Sequence, residues 1–162
     1  MSEEGFAKLK WILVATGCGL YGVLMIFVVM SARAATRDAI RLADVRVVQT
    51  SLELYYSEQN SYPVTEQPIA LGTSNTICLD ANGISGSCST ERPYLPSVPG
   101  EVFGAGAYAY SSRNAEGLAC ATGPCPAYTI QFTLEQAKNG LARGANCARP
   151  EGIKPGACPV WQ

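Results

Sequence analysis

Histidine is missing from this 162-residue chain, and the formal net charge is only −1. Histidine is the commonest general base and metal ligand, so its absence argues against most hydrolases and zinc enzymes. No G-x-S-x-G, S-x-x-K or paired acid motif replaces it. We therefore expect no enzyme, no cofactor and no metal. The chain also has no overall excess of basic residues, so nucleic acid is not an expected partner.

Charge is absent from the run between Trp11 and Met30. A helix of this length spans about 30 Å, the thickness of the hydrocarbon core of a bilayer. The run is longer than the apolar part of an ordinary secretory signal. No A-x-A-like site follows it cleanly, although residues 31–34 come near one. We interpret the run as a transmembrane helix, with a cleaved signal as the alternative.

Two observations conflict over which side of the membrane the rest of the chain faces. Lys and Arg are more numerous just after the run than before it, which favours a cytoplasmic location. Six of the seven cysteines lie beyond the run, and an even number at short spacings favours disulfides in an oxidising compartment. We give the cysteines more weight. They indicate a single-pass cytoplasmic membrane protein with an extracytoplasmic head.

The cysteines beyond the run form three successive local pairs, each flanking a segment rich in turn residues. Six cysteines permit about 15 connectivities, but neighbours close without crossing a strand. A metal site is the alternative; it is disfavoured because there is no C-x-x-C pair and no histidine. The predicted disulfides are Cys78–Cys88, Cys120–Cys125 and Cys147–Cys158.

Glycine and proline are both absent between Ser31 and Glu58, where Ala, Arg, Leu and Glu favour a helix. One helix is predicted from about residue 7 to residue 58. In the second half of this helix we expect Arg41 to pair with Asp44 on the surface. Asn60 suits the left-handed position that ends a helix. The apolar residues with helical spacing are Ile40, Ala43, Val47, Val48, Leu52 and Tyr55.

The rest of the chain predicts a small sheet. Residues 61–104 are rich in turn-forming residues and indicate a long loop. Strands are predicted around residues 107–110, 128–135 and, more weakly, 141–147, the last after an Asn-Gly turn. The aromatic side chains of these strands are expected in the core. The predicted fold class is α+β: a long N-terminal α-helix, with a transmembrane first half, packed on a small antiparallel β-sheet head.

The segment Asp80–Gly83 allows two interpretations. Its Asp and Asn are spaced like the start of a calcium-binding loop. The same residues form an Asx turn when no further acids stand at the required offsets, and none does here. The sequence therefore favours the turn.

The helix resembles that of type IV pilins and type II secretion pseudopilins. The resemblance rests on the order and spacing of Gln49, Leu52, Tyr55, Tyr62 and Pro63 after the apolar run. Residues 128–135 are similar to the main sheet strand of that family. The resemblance implies that the protein is a structural or minor subunit of a pilus-like filament or secretion pseudopilus, exposed at the cell surface when assembled. The implied partners are other pilin-like subunits through the N-terminal helix, a prepilin peptidase and membrane lipid.

The resemblance also implies processing at the N-terminus. Members of the family are cleaved after a Gly, and the Phe that follows becomes methylated; Gly5 and Phe6 occupy these positions. The implied organisation is a leader-like segment at 1–5, a transmembrane half of the helix at 6–31, an amphipathic half at 32–59 and a cysteine-rich β head at 60–162.

The chain departs from the family at Lys10. The family has a Glu there, which accepts the free amine of Phe in the neighbouring subunit, so Phe6 and Lys10 are the predicted assembly residues. A Lys cannot accept that amine, whereas the amine of Phe6 stays available to the next subunit. This asymmetry predicts a component at the filament tip. The alternative is a membrane-anchored extracytoplasmic binding protein that does not polymerise, with Lys10 among the lipid head groups.

Overall fold

The computed structural model describes residues 3–159, except for the side chains of residues 3–9 and 12. The chain forms two compact units, Met1–Thr36 and Arg37–Gln162. Helix α1 runs from Glu3 to Gln59. The second unit joins the last part of α1 to the whole β head.

The predicted end of the helix is confirmed. Asn60 has a positive φ of 57°, and its N–H donates to the carbonyl of Tyr56 at 2.9 Å. Asn tolerates this left-handed conformation better than most side chains. The chain therefore leaves α1 just before Pro63, which cannot continue a helix.

The sheet has five antiparallel strands in the order β1-β4-β5-β6-β7, and β2 and β3 form a separate hairpin. The longest strand, β5, lies at the centre and pairs with β4 and β6. The strands are β1 (Ile69–Ala70), β2 (Cys78–Asp80), β3 (Gly83–Ser85), β4 (Ala109–Arg113), β5 (Ala127–Leu134), β6 (Gly144–Arg149) and β7 (Gly152–Pro155).

The structure refines the predicted strands. The segment predicted as a long loop, residues 61–104, contains β1, β2 and β3, which are too short to give a periodic pattern. The third of the predicted strands is β6, which begins at Gly144 and not at Leu141. Leu141 belongs to a tight turn, because its backbone forms two hydrogen bonds with that of Lys138. Asn139 and Gly140 both have positive φ in this turn, as an Asn-Gly hairpin turn requires.

The core lies between the second part of α1 and the sheet. Burial of each large apolar side chain contributes roughly 1.5–3 kcal/mol. The predicted core aromatics Tyr108, Tyr110, Tyr128 and Phe132 are all buried. Tyr94, also predicted in the core, is only half-buried and packs against the edge of the core beside Tyr55. This is the predicted α+β arrangement. The helix contributes Val45, Val48, Leu52 and Tyr55.

Three disulfides staple the head, in the pairing expected from the sequence. Cys78–Cys88 joins β2 to the loop that follows β3, and Cys147–Cys158 joins β6 to the segment beyond β7. Cys120–Cys125 closes the short loop before β5. Each bridge limits the freedom of the unfolded chain.

Candidate functional site

The first exposed surface is the apolar part of α1. By length and composition this helix is long and apolar enough to cross a membrane, and none of its most apolar window is buried inside the protein. Trp11, Leu20 and Phe27 are among its most exposed side chains. An exposed apolar surface of this extent is typical of a segment that contacts lipid or other helices, and it makes α1 a candidate membrane span.

A second exposed surface continues on α1 within the second unit. Ile40, Val47 and Leu54 follow one another at intervals of seven residues and are all exposed. A parallel row of small exposed residues stands three positions further on. We call the two rows the helix seam: Ile40, Val47, Leu54, Ala43, Thr50 and Ser57. A heptad pattern of large apolar and small residues is typical of a helix that packs against another helix.

The opposite side of α1 is fixed to the head by an ionic cluster around Arg41, which is completely buried. Its Nη1 donates to Asp38 at 2.8 Å and to Glu135 at 2.7 Å, and its Nε donates to Glu101 at 2.9 Å. Arg37 adds a second cation on Glu135. One turn of α1 is thereby tied to the end of β5 and to the loop before β4.

The predicted surface pair of Arg41 with Asp44 is wrong. Arg41 turns inward because the buried carboxylates of Asp38 and Glu101 need a counter-charge. Asp44 instead accepts a hydrogen bond from the hydroxyl of Tyr108 at 3.1 Å. The guanidinium of Arg41 also lies 5.4 Å from the centre of the Phe103 ring, within the range of a cation–π contact.

The cluster lowers the pKa values of two of its acids, Glu135 and Glu101. Hydrogen bonds from Arg37, and then from Arg41, lower the pKa of Glu135 to about 2. Burial acts to raise the pKa of Glu101, but hydrogen bonds from Arg41 and from the N–H groups of Phe103 and Ala105 outweigh it, so the pKa is lowered. Asp38 accepts the N–H groups of Glu135 and Gln136, both at 2.9 Å. These bonds fix Asp38 to the first residues after β5, while the lowered pKa values keep Glu135 and Glu101 ionised.

Asp80 lies in an Asx turn, as the sequence favours. Its Oδ1 accepts the N–H of Asn82 at 2.9 Å, and its Oδ2 accepts both the N–H and the hydroxyl of Ser89. The buried carboxylate thus organises the β2–β3 hairpin and the loop behind it. Within residues 3–159 as described, no group of three or more His, Cys, Asp or Glu side chains is placed to hold a metal ion.

The predicted processing and assembly residues lie at the start of α1. Gly5 and Phe6 fall within its bounds, but their side chains are outside the described ones, as are residues Met1 and Ser2 of the leader-like segment altogether. Lys10 is exposed on the helix. The prediction of cleavage between Gly5 and Phe6 stays a prediction.

The sequence analysis placed Ile40, Ala43 and Val47 on one apolar face with Val48, Leu52 and Tyr55, but only the last three are buried and the first three are exposed. It therefore missed the helix seam as a separate surface, and it also missed the partners of Arg41. The seam has a signal, because the seven-residue spacing of Ile40, Val47 and Leu54 can be counted in the sequence. Glu101 and Glu135 have none, since each lies at least 60 residues from Arg41 in a segment without a motif. Only the folded head brings them together.

Comparisons of the chain with models of known families, with curated proteins and with solved structures gave no match.

Proposed function

We propose that this protein is a structural or minor subunit of a type IV pilus-like filament or a secretion pseudopilus. The proposal combines the resemblance of residues 31–63 to the pilin helix with the α+β architecture and the apolar N-terminal helix. In this account, α1 holds the subunit in the membrane before assembly and the disulfide-bonded head faces the extracytoplasmic side. Disulfides within the head are typical of an oxidising compartment.

The observation that carries the proposal is the helix seam. Ile40, Val47 and Leu54 lie on the part of α1 that packs against the head, and they remain exposed after that packing. A monomeric anchor leaves these side chains in water, which is unfavourable. A neighbouring helix covers them, and the row of Ala43, Thr50 and Ser57 lets it approach closely.

Assembly exchanges one apolar environment for another. In the membrane the first part of α1 contacts lipid chains, which are as apolar as its own side chains. In a filament the same surface contacts neighbouring helices through van der Waals packing, which small residues favour. The helix seam adds burial that the membrane does not provide, so it biases the protein toward the assembled state.

Lys10 favours a position at the tip for this subunit. A like charge there repels the Phe amine that the family's Glu accepts. The amine of Phe6, once cleavage by a prepilin peptidase exposes it, remains able to pair with the Glu of the next subunit. Such a subunit can pair with a neighbouring subunit through the amine of Phe6 but not through position 10.

The second candidate is a membrane-anchored extracytoplasmic binding protein that does not polymerise. Lys10 favours it too, because a long basic side chain at the end of a membrane helix reaches the head groups. The helix seam then needs another explanation, since no lateral helix covers it.

The substitution Val47→Glu tests the proposal. Val47 is 48% exposed, so a Glu leaves the head folded but puts a charge into the proposed contact between helices. We expect mechanical shearing to release the wild-type protein with filaments, while the variant stays in the membrane and needs detergent for extraction.

The matched control is Leu118→Glu. Leu118 is 49% exposed and lies in the loop between β4 and β5, outside the helix seam. We expect this variant to shear off like the wild type. Equal release of Val47→Glu and Leu118→Glu would remove the seam from the proposal, and wild-type protein that never shears would favour the second candidate.

A further inference from the structure

A groove lies beside the helix seam, between α1 and the turn that joins β5 to β6. It consists of two adjoining cavities of about 390 and 320 Å³. The residues that line both cavities are Leu42, Arg46, Asn139 and Leu141. Leu134 and Ile153 add apolar side chains, one to each cavity. We call the two cavities together the α1 groove.

The α1 groove carries positive charge without a counter-charge. Arg46 and Lys138 both line it and are both exposed. Among the described residues, neither lies within salt-bridge distance of a carboxylate. Asp38 also lines the groove, but its carboxylate already accepts Arg41 at 2.8 Å and two backbone N–H groups at 2.9 Å. The groove is therefore complementary to a carboxylate that stands next to apolar side chains.

The two cations stand on opposite sides of the groove, each on a fixed backbone. Arg46 lies on α1. Lys138 lies in the β5–β6 turn, where its backbone forms hydrogen bonds of 2.9 and 3.2 Å with that of Leu141. Pre-ordering of this kind reduces the entropy that is lost when a partner binds.

The α1 groove is continuous with the helix seam. Ala43 belongs to the seam and also lines the groove. Arg46 follows Ala43 by three positions and precedes Thr50 by four, and residues at these spacings are neighbours on the surface of a helix. A helix that covers the seam therefore has one flank facing Arg46. In packed heptad helices, charged residues that flank the seam pair with opposite charges on the partner.

We propose that the helix covering the seam belongs to a neighbouring subunit with carboxylate side chains on the flank that faces the groove, where they pair with Arg46 and Lys138. A helix with a basic flank is excluded, because like charges across an interface are costly. The groove thereby selects which neighbouring subunit joins this one. This inference rests on assembly within the proposed function and adds the charge of the partner.

Zero-length cross-linking tests the proposal directly. The reagent EDC joins an amine to a carboxylate that is in contact with it, and it is applied to mechanically sheared filaments that contain the full chain. We expect mass spectrometry to find Lys138 linked to an Asp or Glu in a helix of a neighbouring subunit. Lys154 is the internal control, because its amine lies 3.8 Å from the carboxylate of Glu151. A link between Lys154 and Glu151 without one from Lys138 to a neighbouring helix overturns the proposal.

Charge reversal provides a second measurement. The double variant Arg46→Glu, Lys138→Glu changes two exposed positions, so the head stays folded while like charges face each other across the interface. We expect several-fold less of this variant than of the wild type in the sheared fraction.

The control for the double variant is Arg92→Glu, which we expect to shear off like the wild type. Arg92 is also exposed, but it lies between β3 and β4 and outside the groove. Equal release of the double variant and the wild type overturns the inference and leaves the proposed function intact. Wild-type protein that never shears overturns both.

Discussion

At the residue scale, Arg41 is the largest fully buried side chain among the described residues. Its replacement by Leu leaves Asp38 and Glu101 buried without a cation. Removing one member of a buried ion pair typically costs about 3–5 kcal/mol. We expect Arg41→Leu to lower the free energy of unfolding by this amount, measured by denaturant titration of the full chain in detergent.

Arg37→Leu is the matched control for Arg41→Leu. Arg37 binds the same carboxylate of Glu135, but its side chain is 32% exposed. An exposed pair contributes about 1 kcal/mol or less. Equal losses in the two variants would contradict the view that α1 is fixed to the head mainly through Arg41.

The lowered pKa of Glu135 predicts a loss of stability in acid. The pKa is about 2 in the folded head, against an ordinary value of 4.5. The folded state therefore binds fewer protons than the unfolded state between these values, and stability falls as the pH is lowered through this window. Above about pH 5 the contribution of Glu135 is fully present.

Glu135→Gln is expected to flatten this acid dependence. The amide does not titrate, so the free energy of unfolding changes less between about pH 5 and pH 2 than in the wild type, as measured by denaturant titrations at each pH. Asp80 and Glu101 also have lowered pKa values, so part of the slope remains. An unchanged slope would show that Glu135 is not held ionised by Arg37 and Arg41.

At the element scale, the loop that leads to Glu101 depends on a close contact between two glycines. Gly72 has a φ of 69°, and a Cβ added there would lie 2.3 Å from the Cα and N atoms of Gly100. Gly72→Ala must therefore shift the backbone before Glu101. We expect a loss of about 3 kcal/mol in unfolding free energy, from the positive φ and the overlap together.

The variant Gly140→Ala separates the effect of the positive φ from the effect of the steric overlap. Gly140 also has a positive φ, but open space surrounds the position of its missing Cβ. A loss of about 1–2 kcal/mol is expected from the backbone conformation alone. If both variants lose the same amount in thermal or denaturant unfolding, the contact between Gly72 and Gly100 does not constrain the loop.

The elements differ in how well the sequence predicts them. Helix α1 and strand β5 are long and strongly patterned, so their periodicity is clear. Strand β1 has only two residues and is defined by its pairing with β4, which no local pattern reveals. Strand β7 follows β6 after a short turn. It contains a Gly and a Pro, which obscure the alternation of apolar and polar side chains that predicts a strand.

At the scale of the whole molecule, local features of the sequence predict the α+β architecture, the end of α1 at Asn60 and the local pairing of cysteines. The candidate surfaces are harder to predict because they depend on what the fold leaves exposed. The pattern of α1 alone does not show whether Val47 or Val48 faces the head. In the structure Val48 is buried and Val47 is exposed, and this difference of one residue defines the helix seam.

The account's central claim is that this protein is a filament subunit, and quantitative proteomics of mechanically sheared surface material tests it most directly. The expected result is that the chain is found in the sheared fraction, starting at Phe6, at a small proportion of the main subunit, as Lys10 predicts for a tip component. If the chain is the most abundant subunit, the electrostatic argument from Lys10 is wrong. If the chain stays entirely in the membrane fraction, the claim itself is contradicted.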